Sequence, residues 1–215
     1  MATIGDINLW AKQFPTGDIP AILHLILNCW KTFKFTCEPL EVPITQRFCA
    51  HLRNNKDRSI HFFRIDWESY ELEENGQILG RIDLKFSQGL DEGVYFSIEC
   101  KLLRIRYQQQ IRSLAGHYVE KGMYRYFTGK YARDLDKGGM LGYVMDGNID
   151  VAVNDVKAAI EKRRANLYMQ ENETLNATTF TTSKQVKETL HKYGPTKRFT
   201  IYHLFLPMNI TRNTN

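Results

Sequence analysis

The sequence predicts a mixed α/β fold of the α+β kind. Its core elements run helix, three strands, helix, strand (αβββαβ), with further elements on either side. Three observations carry this. Strand-like runs at 60–66, 79–86 and 94–103 follow one another across short loops. Segments of helical period flank them on both sides. A short apolar run at 140–145 then closes the set. With 215 residues, 43% hydrophobic and 25% charged, the chain can bury a substantial core. The expectation is one domain over 1–208, its core at about 38–146, and a disordered polar tail at 209–215.

The first helix is expected from Asp18, an acid suited to capping with Pro20 in the first turn, to about Phe33. Its stretch 20–30 is the most apolar in the chain, but it is too short to span a bilayer. A second helix is expected after Pro43, where Ile44, Phe48 and Leu52 recur at helical spacing until Asn54-Asn55. The three strand-like runs are separated by Glu73-Glu74-Asn75-Gly76 and by the loop 88–93, which predicts an antiparallel meander. A crossing helix is expected over 113–133, ending towards Gly138-Gly139. Beyond the strand at 140–145, the pattern predicts a helix at 150–169, a short helix at 183–192 and a last strand at 199–206.

Cys29, Cys37, Cys49 and Cys100 form no C-x-x-C pair, and the first residues lack the basic start and apolar region of a secretory signal. A soluble cytoplasmic protein without a membrane partner is expected. The net charge of +5 is compatible with a polyanionic partner without requiring one.

The constellation that suggests chemistry is Asp83 together with Glu99-Cys100-Lys101. Hydrolysis of a phosphodiester by a divalent metal needs oxygen ligands for a hard cation and a group that orients or deprotonates water. The two-residue period of a strand puts Glu99 and Lys101 on one face, turns Cys100 to the other, and leaves the Cys100 backbone carbonyl able to reach a metal. Asp83 lies in the preceding strand, where a short loop can bring it beside Glu99. Acid-x-Lys is a common pattern: Asp83-Leu84-Lys85 and Asp155-Val156-Lys157 also fit it, and a solvated surface pair is the bland reading.

The order of elements makes the pattern specific. A helix, an Asp in the second strand of a meander, Glu-x-Lys in the third, then a helix and a strand resembles the PD-(D/E)XK, or restriction-endonuclease-like, nuclease superfamily. The resemblance implies an endonuclease that hydrolyses phosphodiester bonds, usually in DNA. In it Asp83 and Glu99 would bind Mg2+ or Mn2+ and Lys101 would assist the water. The family often adds an acid from the helix before the meander; Glu41 stands there, with Glu38 as the competing choice. Ile82 replaces the name-giving Pro, and Cys100 fills the middle place of the motif.

Residues 101–137 hold nine basic side chains against three acidic ones, a surplus larger than the net charge of the chain. Such a concentration suits phosphate binding. Tyr118, Lys121, Arg125 and Lys130 are the candidate nucleic-acid contacts, in a segment that resembles the helix following the motif in these nucleases. His117 is a possible base or ligand, although a lone histidine is more often structural. So small a chain leaves little room for a separate target-reading domain, so target choice is expected from a partner subunit or a homo-oligomer. Family habit places such nucleases in restriction or phage defence. The alternative is a non-catalytic nucleic-acid-binding or assembly module on the same fold.

Overall fold

A computed structural model describes residues 14–35, 40–72, 75–89, 93–128, 135–193 and 197–208. The fold is mixed α/β. After a 3-10 turn, Thr16–Asp18, come α1 (Ile19–Thr32) and α2 (Glu41–Asn55), then the strands β1 (Arg64–Leu72), β2 (Ile78–Ser87) and β3 (Tyr95–Leu103). A small hairpin follows, β4 (Ile105–Tyr107) and β5 (Gln110–Arg112). A broken helical segment over 115–126, here α3, leads to β6 (Lys137–Val144) and α4 (Ile149–Glu161). Then come β7 (Asn176–Ala177), β8 (Val186–Tyr193) and β9 (Lys197–Pro207).

Seven strands form one sheet in the order β1-β2-β3-β6-β9-β8-β7, mostly antiparallel, with β6 parallel to both β3 and β9. Alternation along β3 divides the core. Phe96, Ile98 and Cys100 belong to a cluster built with α1 and α2, whereas Tyr95 and Leu103 belong to a second cluster built with α3 and α4. Trp30 fixes α1 on the sheet. Its ring stacks on Tyr143 and meets Phe48 edge-on, and its Nε1–H donates to the Pro207 carbonyl.

Several expected elements are corrected. The strand expected at 60–66 begins at Arg64 and continues to Leu72. The Asp18 side chain does not cap α1; its carboxylate accepts from Gln88 Nε2 at 2.7 Å. The crossing helix is irregular where it is described: an α turn, Ala115–His117, passes into a π turn, Tyr118–Gly122, and a 3-10 turn, Met123–Tyr126, while 129–133 lie outside the described residues. Gly138-Gly139 does not end that helix but belongs to β6. A Cβ at Gly138 would stand 2.5 Å from the Tyr126 ring, so glycine there lets α3 press onto the strand. The helix expected at 150–169 stops at Glu161, and Tyr168 takes a left-handed conformation (φ 54°) after a 3-10 turn, Ala165–Leu167. The helix expected at 183–192 is instead strand β8, paired antiparallel with β9 from Val186↔Leu204 to Tyr193↔Lys197. The expected tail at 209–215 lies outside the described residues.

Among the described residues no helix is long and apolar enough to cross a membrane. Cys29, Cys49 and Cys100 are buried free thiols; Cys37 lies outside the described residues.

Candidate active site

The site forms where two strands part. β2 pairs with β3 from Ser87↔Tyr95 to Leu84↔Ile98, a register whose next step would set Asp83 opposite Glu99. The ladder stops there. On the other side of β2 the pairing with β1 passes from Trp67↔Leu84 to Ser69↔Ile82, with Glu68 between them at a positive φ of 51°. The gap is closed by a side chain: Asp83 Oδ2 accepts the backbone N–H of Cys100 at 2.7 Å. The carboxylate thus replaces a carbonyl of the interrupted ladder, which satisfies a buried donor and fixes its own position.

Lys101 stands at the centre. Its Nζ lies 2.7 Å from Glu99 Oε1, 2.9 Å from Glu41 Oε1 and 4.0 Å from Asp83 Oδ2, and it donates to the Cys100 carbonyl at 2.7 Å. Glu41 arrives from the first turn of α2, and its second oxygen accepts the Leu102 N–H at 3.2 Å. Arg125 comes from α3, its Nη1 lying 2.9 Å and 3.1 Å from the two Glu99 oxygens. Three carboxylates and two cations therefore share a site in which Glu99 is fully buried and Asp83 and Lys101 nearly so.

Burial has opposite consequences for these groups. It pushes the Asp83 carboxyl up to about 7, with the Glu99 charge adding to the shift and Lys101 and the Cys100 N–H opposing it. Burial would lower the Lys101 ammonium, but Glu99, Glu41 and Asp83 outweigh it and raise Lys101 above its usual range. Cys100 points away to the other face, and burial pushes its thiol well above the ordinary range, so it stays protonated.

The donor set is all oxygen: three carboxylates and one backbone carbonyl, with no thiolate or imidazole. That chemistry fits a hard cation such as Mg2+ or Mn2+. The Ser97 hydroxyl, two residues before Glu99 on β3, is buried without a hydrogen-bond partner among the described residues, an added polar atom on the same face. The carboxylates are held by Lys101 and Arg125, and among the described residues no three His, Cys, Asp or Glu side chains already form a metal-ready group.

Asp83, Glu99, Lys101, the Cys100 carbonyl and Glu41 are thus brought together, and Glu38 lies outside the described residues. Of the candidate nucleic-acid contacts, Lys121 is exposed. Arg125 is instead turned inwards onto Glu99. Tyr118 is corrected: it is fully buried, stacked on Phe205, with its hydroxyl 3.0 Å from His203 Nδ1, and has no surface to offer a substrate. Lys130 lies outside the described residues. The inward role of Arg125 escaped the sequence because helical spacing gives neighbours along a helix but not its rotation about its axis; the π turn alters that rotation. Comparison of the chain with protein-family models, curated proteins and solved structures finds no match in any of the three.

Proposed function

We propose that the protein is a metal-dependent nuclease of the restriction-endonuclease-like kind, with Asp83 and Glu99 as metal ligands, the Cys100 carbonyl and Glu41 as further ligands, and Lys101 as the group that positions water. The observation that carries this reading is the convergence of Asp83, Glu99, Glu41 and the Cys100 carbonyl on one ammonium at the parting of β2 and β3. Buried like charges need a cation.

A bound Mg2+ or Mn2+ would supply Lewis-acid stabilisation of the phosphoryl oxygens and a more acidic water. The protein's own groups then have distinct tasks. Asp83 is held by the Cys100 N–H with one oxygen left over. Arg125 orients Glu99 from the α3 side. Lys101 is kept charged by its three carboxylates, so it begins as an orienting cation; were those charges neutralised, burial would lower its pKa, and Nζ could release a proton to solvent and then accept one from the attacking water. DNA is the proposed substrate, and restriction or phage defence the proposed setting.

The second reading, a non-catalytic binding or assembly module, is favoured by the ion-pair network itself, in which Lys101 and Arg125 already hold the carboxylates. Incubating the purified chain with Mg2+ or Mn2+ and plasmid, linear and single-stranded DNA or RNA separates the two. The nuclease reading expects cleavage that falls at least a hundredfold in Lys101→Ala, and calorimetric metal binding that is lost in Asp83→Asn. Intact substrates with wild-type protein, and no metal binding that depends on Asp83, would leave the second reading standing.

A further inference from the structure

The β4–β5 hairpin takes no part in the site, yet the fold holds it out into solvent. Every residue from Arg106 to Arg112 is exposed, Tyr107 at 56% and Ile111 at 39%. Two strands of three residues have little stability of their own. The base is anchored instead: Ile105 packs against the α1–α2 core cluster, and Arg104, at φ 53°, pairs with Asp146 at 2.8 Å and Asp155 at 2.9 Å. At the tip, Gln108 and Gln109 both adopt positive φ, 45° and 64°, which is the two-residue turn that Asn-Gly makes with less strain. The sequence 104–113, Arg-Ile-Arg-Tyr-Gln-Gln-Gln-Ile-Arg-Ser, contains no acid. Arg106 and Arg112 form no ion pair with a described residue.

From this the structure assigns the hairpin as a ribbon that enters the major groove of duplex DNA. The choice of nucleic acid as occupant rests on the proposed nuclease activity; the choice of groove and duplex rests on the hairpin. A two-stranded ribbon fits the major groove of B-form DNA, about 12 Å wide, whereas that of an A-form RNA helix is too narrow and deep for side chains to read. The register Arg106↔Ile111 and Ile105↔Arg112 places the two arginines on opposite faces of the ribbon, suited to phosphates on the two strands flanking a groove. Gln108, Gln109 and Gln110 at the tip carry amides that can pair with the N6 and N7 edge of adenine. Gln108 lies seven positions beyond Lys101, so the tip lies at most about 23 Å from the Lys101 backbone, a span of about seven base pairs.

The test is fluorescence anisotropy of a 30-base-pair duplex with the full chain in Ca2+, which reads binding apart from cleavage. Arg106→Ala/Arg112→Ala should weaken binding at least tenfold at 0.1 M salt and lower the slope of log affinity against log salt by about two. Gln108→Asn/Gln109→Gly keeps the turn and should keep the salt slope. Wild-type protein should bind a duplex carrying glucosylated hydroxymethylcytosine, which fills the major groove, at least tenfold more weakly than the plain duplex; the tip variant should bind the two more nearly alike. Unchanged affinity and slope in the arginine variant, with its melting temperature preserved, would overturn the proposal, as would RNA duplex bound as tightly as DNA. Duplex bound through these arginines but never cut would overturn the nuclease reading alone. DNA cut by a chain whose binding ignores them would overturn the hairpin alone.

Discussion

Lys101 is the residue on which the site balances, because one buried ammonium answers three carboxylates. Removing one partner of a buried charge set costs about 3 kcal/mol or more, since the survivors stay desolvated and unpaired. Lys101→Ala should therefore lower the melting temperature of the metal-free protein by roughly 6–12 °C, taking about 2–4 °C per kcal/mol for a chain of this size. Asp83→Asn in the same background keeps an oxygen for the Cys100 N–H while removing one charge, so it should restore part of the loss. Thermal melts in EDTA check both, and a single variant that melts with wild type would show that Lys101 does not hold these charges. Asp83, Glu99 and Lys101 were legible in the sequence because a strand's period of two is rigid and short loops set neighbouring strands side by side. Burial of the whole group and the grip of Arg125 on Glu99 were not legible, since both depend on how α3 is turned against the sheet.

The elements around the site show where periodicity informs and where it misleads. The helix-strand-strand-strand order follows from patterns that burial enforces, as with Ile44, Phe48 and Leu52 on α2. In β8, Val186, Thr189 and Leu190 suit helical spacing as well as a strand; pairing with β9, a long-range contact that no local window contains, makes it a strand. Gly138-Gly139 is ambiguous for a related reason: a glycine pair marks a special backbone need without saying whether that need is a turn or a close neighbour. The structure identifies a close neighbour. Tyr126 packs over Gly138, and its hydroxyl donates to the Gly139 carbonyl at 2.7 Å and the Ser97 carbonyl at 3.1 Å, tying α3 to β6 and to the strand that carries Glu99. Gly138→Ala should thus force a fully packed ring aside, at a cost of about 1–3 kcal/mol. It should also reduce cleavage by displacing Arg125, one residue before Tyr126. Chemical denaturation and the nuclease assay read the two effects, and a variant as stable as wild type would mean that the ring yields freely.

At the scale of the whole molecule, a buried chain of hydrogen bonds ties the C-terminal strands to α3. Leu167 O can only accept, so His191 Nδ1 donates to it at 2.7 Å, and the neutral ring's Nε2 must then accept from the Thr189 hydroxyl at 2.7 Å. Thr189 Oγ1 in turn accepts from His203 Nε2–H at 2.9 Å, which leaves His203 Nδ1 to accept from the Tyr118 hydroxyl at 3.0 Å. Every link has one direction, and a proton added to either ring would set a donor against a donor. Burial accordingly pushes His191 down to about 4 and His203 down to about 3, with the neighbouring His191 adding to the shift at His203. In the unfolded chain both rings titrate near 6.5. Below that pH the unfolded state binds more protons than the folded one, so the contribution is fully present above about 6.5 and is lost as pH falls towards the folded values. Each excess proton is worth about 1.4 kcal/mol per pH unit, which gives the two rings up to about 5 kcal/mol between pH 6.5 and 4.5. Asp83 acts in the opposite sense: its raised pKa makes folding more favourable as pH falls from about 7 towards 4, so the histidine effect must be read as a difference between proteins. Denaturation midpoints of wild type and of His191→Gln/His203→Gln, followed from pH 7.5 to 4.5, isolate it. The variant should be less stable at pH 7.5 and lose stability less steeply on acidification; parallel curves would show that the two rings do not carry the acid sensitivity of the fold.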